Sequence, residues 1–355
     1  MTTPRIEIGD KTIGLGHPVY VIAEVSANHN GSLERAKSIV RAAADAGADA
    51  VKLQTYTAES ITIDSELPHF QIDCGSVWDK QSLFQLYQKA HTPRDWHAPL
   101  QALATELGLD FFSTPFDETA VEFLESIKVP CYKVASFEIV DLPLLEKIAS
   151  TRKPVIMSTG MATIDEIQAA MNTLRENGCT QVALLKCTSA YPATPASMNL
   201  KTIPALQQQF DVVSGLSDHS LGHTSAVAST ALGSCIIEKH LTLRRSDGGP
   251  DSHFSMEPEE FAEMVTAVRQ TSASLGEVHF GPTEFDEKNK AFRPSLFAIR
   301  DIQAGEVFSR ENVDTRRPAS GLPPVCLKEL MGQTASQTIP VGTPVSWDLV
   351  QVKAA

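Results

Sequence analysis

A (β/α)8 barrel followed by a small β-rich domain is the architecture this sequence predicts. Three observations lead there. Between about residue 18 and residue 275, eight short, near-continuously apolar runs alternate with longer amphipathic stretches, the pattern of parallel strands covered by helices. No G-x-G-x-x-G follows the first run, which counts against a doubly wound sheet, the alternative for such alternation. After residue 275 the helical rhythm stops, and Pro, Gly and short Val-rich runs take over.

The strand candidates are VYVIAE (19–24), AVKLQT (50–55), DFFST (110–114), CYKVAS (131–136), PVIMST (154–159), QVALLKCT (181–188), DVVSGLS (211–217) and CIIEKHL (235–241). Between them, SLERAKSIVRAAADAG (32–47) and TIDEIQAAMNTLRENG (163–178) each open on a Ser or Thr N-cap and close on Gly, as helices do. Residues 56–92 are long for a connection after the second strand. They either shape the site at the barrel's C-terminal face or form an extra covering helix. The predicted division is a barrel over 1–275, a polar linker over 276–292 and a tail over 293–355. In the tail, DIQAGEVFSRENV (301–313) and TIPVGTPVSWDLV (338–350) have similar, hairpin-like patterns. So short a unit is expected to pack on the barrel or on a partner chain rather than hold a large core of its own.

The length of 355 residues suits one barrel of ~250 residues plus an appendage. Hydrophobic residues make up 42% and charged ones 21%, so a packed core is expected. No apolar run reaches the ~18 residues of a membrane span, and the polar N-terminus MTTPRIEIGD lacks a signal-peptide pattern. A cytoplasmic address without membrane attachment is the expectation. The net charge is −13 with no basic stripe, which speaks against nucleic acid as a partner. An anionic ligand would have to be met by local cations against that overall field. The six cysteines (Cys74, Cys131, Cys179, Cys187, Cys235 and Cys326) form no CxxC pair and read as buried, reduced thiols.

Barrel chemistry gathers where strands end. Here the ends offer Glu24, Ser26, Asn28 and His29; Lys52 and Gln54; Ser113 and Thr114; Lys133, Ser136 and Glu138; Ser158 and Thr159; Lys186, Thr188, Ser189 and Tyr191; Ser217, Asp218 and His219; and Glu238, Lys239 and His240. The period of two along a strand puts Lys52 and Gln54 on one face, the barrel interior, and turns Lys133 inward. In 238–240, Glu238 and His240 share a face opposed by Lys239, so either His240 or Lys239 looks inward. His219 and His240, on adjacent strand ends, could hold a divalent cation; imidazoles with carboxylate and water suit Mn2+, Fe2+ or Zn2+ better than Mg2+. Structural histidines are the alternative. Lys52 and Lys133 with the hydroxyls around them would make a site for a phosphate or carboxylate.

The motifs VIAEVSANHNGS (21–32), VKLQTY (51–56), FFSTPF (111–116), YKVASFE (132–138), MSTGMA (157–162), LKCTSAYP (185–192), GLSDHS (215–220), EKHLTL (238–243) and GGPDSHFSMEP (248–258) resemble the sialic acid synthase family. RRPASGLPP (316–324) resembles that family's C-terminal antifreeze-like, or SAF, domain. The resemblance runs in order along nearly the whole chain. SANHNGS, ASFE and WDKQSLFQLYQKAHTPRDWH (78–97) are closer to the family's pseudaminate-forming branch than to its neuraminate-forming one. Leu241, where Phe is common, and His253, where a small residue is common, depart from the pattern and bear on the shape of the sugar pocket.

This resemblance implies a barrel with a SAF tail and a condensation of phosphoenolpyruvate with an open-chain amino sugar, here a diacetamido trideoxy hexose of the altrose series. N-acetylneuraminate or legionaminate formation is the near alternative. It implies that Lys52, Thr114, Lys133 and Ser136 hold the phosphoenolpyruvate carboxylate and its surroundings. Lys133, Ser158, Ser189 and Ser217 would contact the phosphate, although Ser189 stands where neuraminate synthases often have Asn. His219 and His240 would bind a divalent metal, Mn2+ foremost, with Mg2+ or Co2+ as alternatives. Glu138 would sit beside the metal and activate water; Glu24, Tyr191 and Asp251 would contact the sugar, and Gln54 would bind substrate. A domain-swapped homodimer is implied, in which Arg293 or Arg317 reaches the partner's sugar site. Other readings of the same residues are a different phosphoenolpyruvate-condensing barrel, a Schiff-base aldolase using Lys133 or Lys186, and a non-enzymatic sugar-binding barrel.

Overall fold

The computed structural model describes residues 3–351 except 74, 76 and 77. Its chain begins with an antiparallel hairpin, β1 (Arg5–Ile8) and β2 (Lys11–Gly14). Eight parallel strands then close into a barrel: β3 (Tyr20–Glu24), β4 (Ala50–Thr55), β5 (Asp110–Pro115), β6 (Tyr132–Val134), β7 (Val155–Ser158), β8 (Val182–Cys187), β9 (Val213–Asp218) and β10 (Ile236–His240). They pair in chain order, and β10 returns to β3 with Ile236 opposite Tyr20 and His240 opposite Glu24. All eight expected strands are present.

Side chains on both faces of these strands are buried, as a helix-covered parallel sheet requires. The connecting helices start where capping residues stop competing with the backbone. Ser32 accepts from Arg35 N at the head of Leu33–Asp45. Thr163 and Glu166 form a reciprocal capping box at the head of Ile164–Glu176. The hairpin lies outside what periodicity indicated. Ile6, Ile8 and Ile13 join the barrel core, and Glu7 N donates to Gln181 Oε1 just before β8 (2.7 Å), so the hairpin closes the barrel's N-terminal end.

The connection between β4 and β5 contains the helices Ala58–Ile61, Leu83–Ala90 and His97–Glu106. Residues 56–92 therefore both carry helix and, as shown below, wall the site.

The chain divides after Gly276. The second unit, residues 277–355, opens with the helical turns Glu284–Glu287 and Lys288–Phe292 where an irregular linker was expected. It continues with β11 (Ser295–Ala298) antiparallel to β12 (Val313–Arg316). The two similar tail segments do not fold back as separate hairpins. They pair with each other: Ile302 and Ile339 exchange both backbone hydrogen bonds at 2.8 Å. The unit has a small core of its own, with Leu296, Ile302, Phe308, Val313, Leu330, Ile339 and Val345 almost wholly buried.

No helix among the described residues is long and apolar enough to cross a membrane. Cys131, Cys179, Cys187 and Cys235 are free and buried, and Cys326 is free and half-buried; Cys74 lies outside the described residues.

Candidate active site

At the C-terminal ends of the strands a cavity of about 550 Å³ opens into the barrel. Its floor is polar because β4, β6, β7, β9 and β10 each send alternate side chains inward. Lys52, Gln54, Lys133, Ser158, Ser217, Glu238 and His240 all line it. A second cleft of about 580 Å³ lies at the strands' opposite ends, beside Val182 and Val213, with exposed Arg5, His17 and Arg175 around it. It gathers no buried charges.

Lys52 lies between two carboxylates, with Nζ 2.5 Å from Glu24 Oε2 and 3.3 Å from Glu238 Oε1, and it donates to Thr114 Oγ1 at 3.1 Å. Burial works against its charge, but Glu238 and Glu24 outweigh burial and hold the ammonium protonated above its ordinary range. The two carboxylates share that lysine unequally. For Glu238, burial is outweighed by Lys133 and Lys52, which keep it below the usual carboxylate range. For Glu24, burial prevails over Lys52 and pushes the group up to about 7. Lys133 donates to Ser158 Oγ and to its neighbour's carbonyl, Val134 O, both at 2.7 Å. Burial lowers it to about 8. An anion entering here would meet two desolvated cations. Glu138 stands on the cavity wall, raised by burial to about 7, with a buried Oε2 that has no hydrogen-bond partner.

The rings of His219 and His240 are 5.4 Å apart, centroid to centroid. His219 Nδ1 lies 3.0 Å from the Thr188 carbonyl, which can only accept, so Nε2 carries the lone pair of the neutral ring. Burial, and then His219, push His240 well below its ordinary value, and its Nδ1 is buried without a partner. For His219, burial is outweighed by Cys187 and the Thr188 carbonyl, which hold it above its ordinary value; once deprotonated at Nε2 it and the neutral His240 fit a divalent cation. Among the described residues no three His, Cys, Asp or Glu side chains converge as a ligand set, Glu138 included. Oxygen from water or substrate would therefore complete the coordination.

On the far side, Tyr191 stacks over His219 with centroids 4.5 Å apart. Asp251 accepts from Ser26 Oγ at 2.5 Å, and Gln54 Nε2 donates to the same hydroxyl at 3.0 Å. Ser26 holds this bridging place with a left-handed backbone, φ 45°, a strain that tends to gather at functional sites. Ser136 and Ser189 are linked Oγ to Oγ at 2.9 Å. Gly160 makes room for them: a Cβ there would come within 2.3 Å of Ser136 Cβ at a φ of +49°.

Of the residues expected at the site, Lys52, Gln54, Lys133, Ser136, Glu138, Ser158, Tyr191, Ser217, His219, His240 and Asp251 line the cavity. Glu24, Thr114 and Ser189 sit just behind the lining, each joined to a side chain that does line it. Arg293 and Arg317 are exposed on the second unit. Lys186, the other Schiff-base candidate, is off the wall and bonds Cys187 O at 2.6 Å. Ser26, Tyr56, Cys187 and Glu238 are further lining residues. Alternation had already paired Glu238 with His240, and the structure resolves that choice. Both face inward, while Lys239 faces outward and pairs with Asp218 at 2.8 Å.

A closed barrel whose mouth holds two desolvated lysines beside two high-pKa carboxylates belongs to the class that manipulates small multiply charged anions through acid–base chemistry. The comparisons narrow the class. Residues 39–280 match the NeuB family, and residues 293–351 match the SAF domain. A Helicobacter pylori protein named pseudaminic acid synthase is 46% identical over 94% of this chain and 98% of its own length. A Campylobacter jejuni protein of the same name is 45% identical over 91% and 94%. A solved N-acetylneuraminic acid synthetase from Leptospira borgpetersenii, in complex with citrate, aligns with a TM-score of 0.72 and 31% identity over 81% of this chain and 95% of that one. The chain belongs to the NeuB family.

Proposed function

We propose that this chain joins phosphoenolpyruvate to 2,4-diacetamido-2,4,6-trideoxy-L-altrose, with water, to give pseudaminic acid and phosphate, and that a divalent cation, Mn2+ foremost, takes part. The observation that carries this reading is the meeting in one cavity of two buried lysines with Glu138 on its wall and Glu24 just behind it, both carboxylates raised into the neutral range. The substrate's phosphate and carboxylate call for the first, and proton transfer to and from water for the second. The near full-length similarity to the Helicobacter and Campylobacter proteins supports this sugar over its neuraminate and legionaminate relatives.

In the reaction the methylene carbon of phosphoenolpyruvate bonds to the sugar's aldehyde carbon, water adds at the enol carbon, and the C–O bond to phosphate breaks. Lys133, Ser158 and Ser217 hold the phosphate, with Ser189 acting through Ser136. Lys52, steadied by Thr114, holds the carboxylate. These donors are already in place and stripped of water, so little reorganisation accompanies charge development. Glu138 takes a proton from the attacking water. Glu24, Gln54, Tyr191 and Asp251 orient the sugar. His219 and His240 would hold the cation, which supplies Lewis-acid polarisation of an oxygen when bound. Oxygen-18 in the bridging position of phosphoenolpyruvate tests which bond breaks. Label in the released phosphate is expected; label retained in the sugar acid overturns C–O cleavage.

A Schiff-base aldolase is the second reading, favoured by the lowered proton affinity of Lys133. It requires borohydride with substrate to trap the enzyme covalently, and activity to survive a chelator.

A homodimer completed in trans belongs to the proposal, with Arg317 or Arg293 reaching the partner's sugar site. Phe137, Val140, Met161, Ile164 and Leu221 stand exposed in the segments that follow β6, β7 and β9, and Val278, Phe280, Phe285 and Phe292 stand exposed in the second unit. Apolar surface of this kind marks association sites. Buried unpaired thiols fit a cytoplasmic setting.

A further inference from the structure

The helix Leu83–Ala90 has an apolar stripe with nothing packed fully over it. Leu83, Leu86, Tyr87 and Ala90 follow the i, i+3, i+4, i+7 spacing of one helical face. A stripe of that kind ordinarily buries itself in a core. Here none of the helix's residues is buried, and all four of these side chains line the active-site cavity instead. Ile61, at the end of the helix Ala58–Ile61, and Ile72 extend the same wall. Aromatic edges hold the wall in place: Tyr56, just after β4 and itself in the lining, meets Tyr87 at 5.7 Å and Phe116 at 5.1 Å, centroid to centroid. It faces a floor of buried lysines, hydroxyls and carboxylates, so the two sides of one cavity ask for opposite chemistry.

Phosphoenolpyruvate, doubly functionalised with anions, belongs to the floor and offers the wall nothing. The wall therefore reads the other reactant. A fully hydroxylated sugar would bring hydroxyl groups against Leu, Ile and Tyr faces and lose their water without replacement. A sugar bearing a methyl in place of a terminal hydroxymethyl, and acetamido methyls in place of hydroxyls, would cover the stripe and remove it from water. We propose that Leu83, Leu86, Ile61 and Ile72 form a specificity wall that selects an N-acylated, deoxygenated hexose by seating its methyl groups; this rests on the condensation reading above. The wall comes entirely from the β4–β5 connection and leaves the catalytic floor to the strand ends, so acceptor choice and bond chemistry reside on separate elements.

The test compares kcat/KM for the diacetamido trideoxy sugar with that for its analogue carrying a terminal hydroxyl, at saturating phosphoenolpyruvate and Mn2+. Leu86→Asn and, on a different element, Ile61→Asn are the variants. Both sites are only half-buried, and circular dichroism verifies folding. Adding or removing one small group in an apolar pocket changes discrimination by ~10–200-fold. Each variant is expected to lower the deoxy-to-hydroxy ratio at least ~10-fold while KM for phosphoenolpyruvate stays within about twofold. If the wild type discriminates and both variants keep its ratio, or lose both sugars equally, the wall does not select and the inference is overturned while the reaction stands. If the wild type releases no phosphate with either sugar, the underlying reading fails, and the inference with it.

Discussion

Glu138 is where activity and stability pull apart. Burial raises its carboxyl from an ordinary 4.5 to about 7. A group raised on folding contributes stability below its unfolded value and loses it as pH climbs through the folded value. Above pH 7 the ionised Glu138 therefore destabilises the free enzyme. Glu138→Gln should lower turnover by ~10²–10⁴ if the carboxylate is the base. It should also raise the melting temperature at pH 8 and leave it little changed near pH 4.5. A Tm that falls at pH 8 would contradict the assignment. In the free enzyme Glu138 must be ionised and Lys133 charged, so kcat/KM should rise through about 7 and fall through about 8; a flat profile from pH 6 to 9 would count against both roles. Residue types and inward faces were legible in the sequence wherever strand alternation decides, as for Lys52, Gln54 and Lys133. Depth was not. Thr114 and Ser189 lie one side chain behind the wall because strand-end geometry, not residue type, sets that distance. Cys187 looked like inert packing, yet it faces the cavity beside His219, with Sγ 3.9 Å from Nδ1.

At the scale of elements, the barrel strands were readable because each is a short apolar run bounded by turn or cap residues. The opening hairpin was not, since two four-residue strands leave too little periodicity, although Ile6 and Ile8 alternate before a Gly-Asp turn. The tail repeats showed their pattern but not their partner: like segments can fold on themselves or on each other, and only long-range register separates the two. The outward faces of β9 and β10 carry their own device. Lys239 bonds both Asp218 and the Ser220 carbonyl, while Ser220 donates back to Asp218 at 2.6 Å. This clamp brackets His219 and backs His240 without touching the cavity. Both charges are almost fully buried, and removing one partner strands the other. Lys239→Met should cost ~3–5 kcal/mol in urea unfolding. A cost below about 1 kcal/mol, the scale of an exposed pair, would show that water reaches the clamp.

At the scale of the whole molecule, the two units divide labour in the proposed dimer. The barrel would supply the floor and the wall, and the partner's tail would supply Arg317 or Arg293. A guanidinium fork suits sugar hydroxyls and acetamido oxygens and helps exclude water. Mixing Glu138→Gln chains with Arg317→Ala chains under conditions of subunit exchange should create hybrid dimers with one intact site and return part of the lost activity. A mixture as inactive as its parents would mean that each chain serves itself. The tail's motif was legible in sequence, but its self-contained core was not, because that core is assembled from short segments far apart in the chain.

The central claim is the reaction, and phosphate release measures it most directly. Purified protein with Mn2+ and phosphoenolpyruvate is offered the diacetamido trideoxy altrose, its legionaminate-forming relative and N-acetylmannosamine in parallel. Stoichiometric phosphate, dependent on sugar and abolished by chelator, with kcat/KM at least ~10-fold higher for the altrose derivative, is the expected result. Preference for N-acetylmannosamine would contradict the choice of sugar, and no sugar-dependent phosphate from any of the three would contradict the account as a whole.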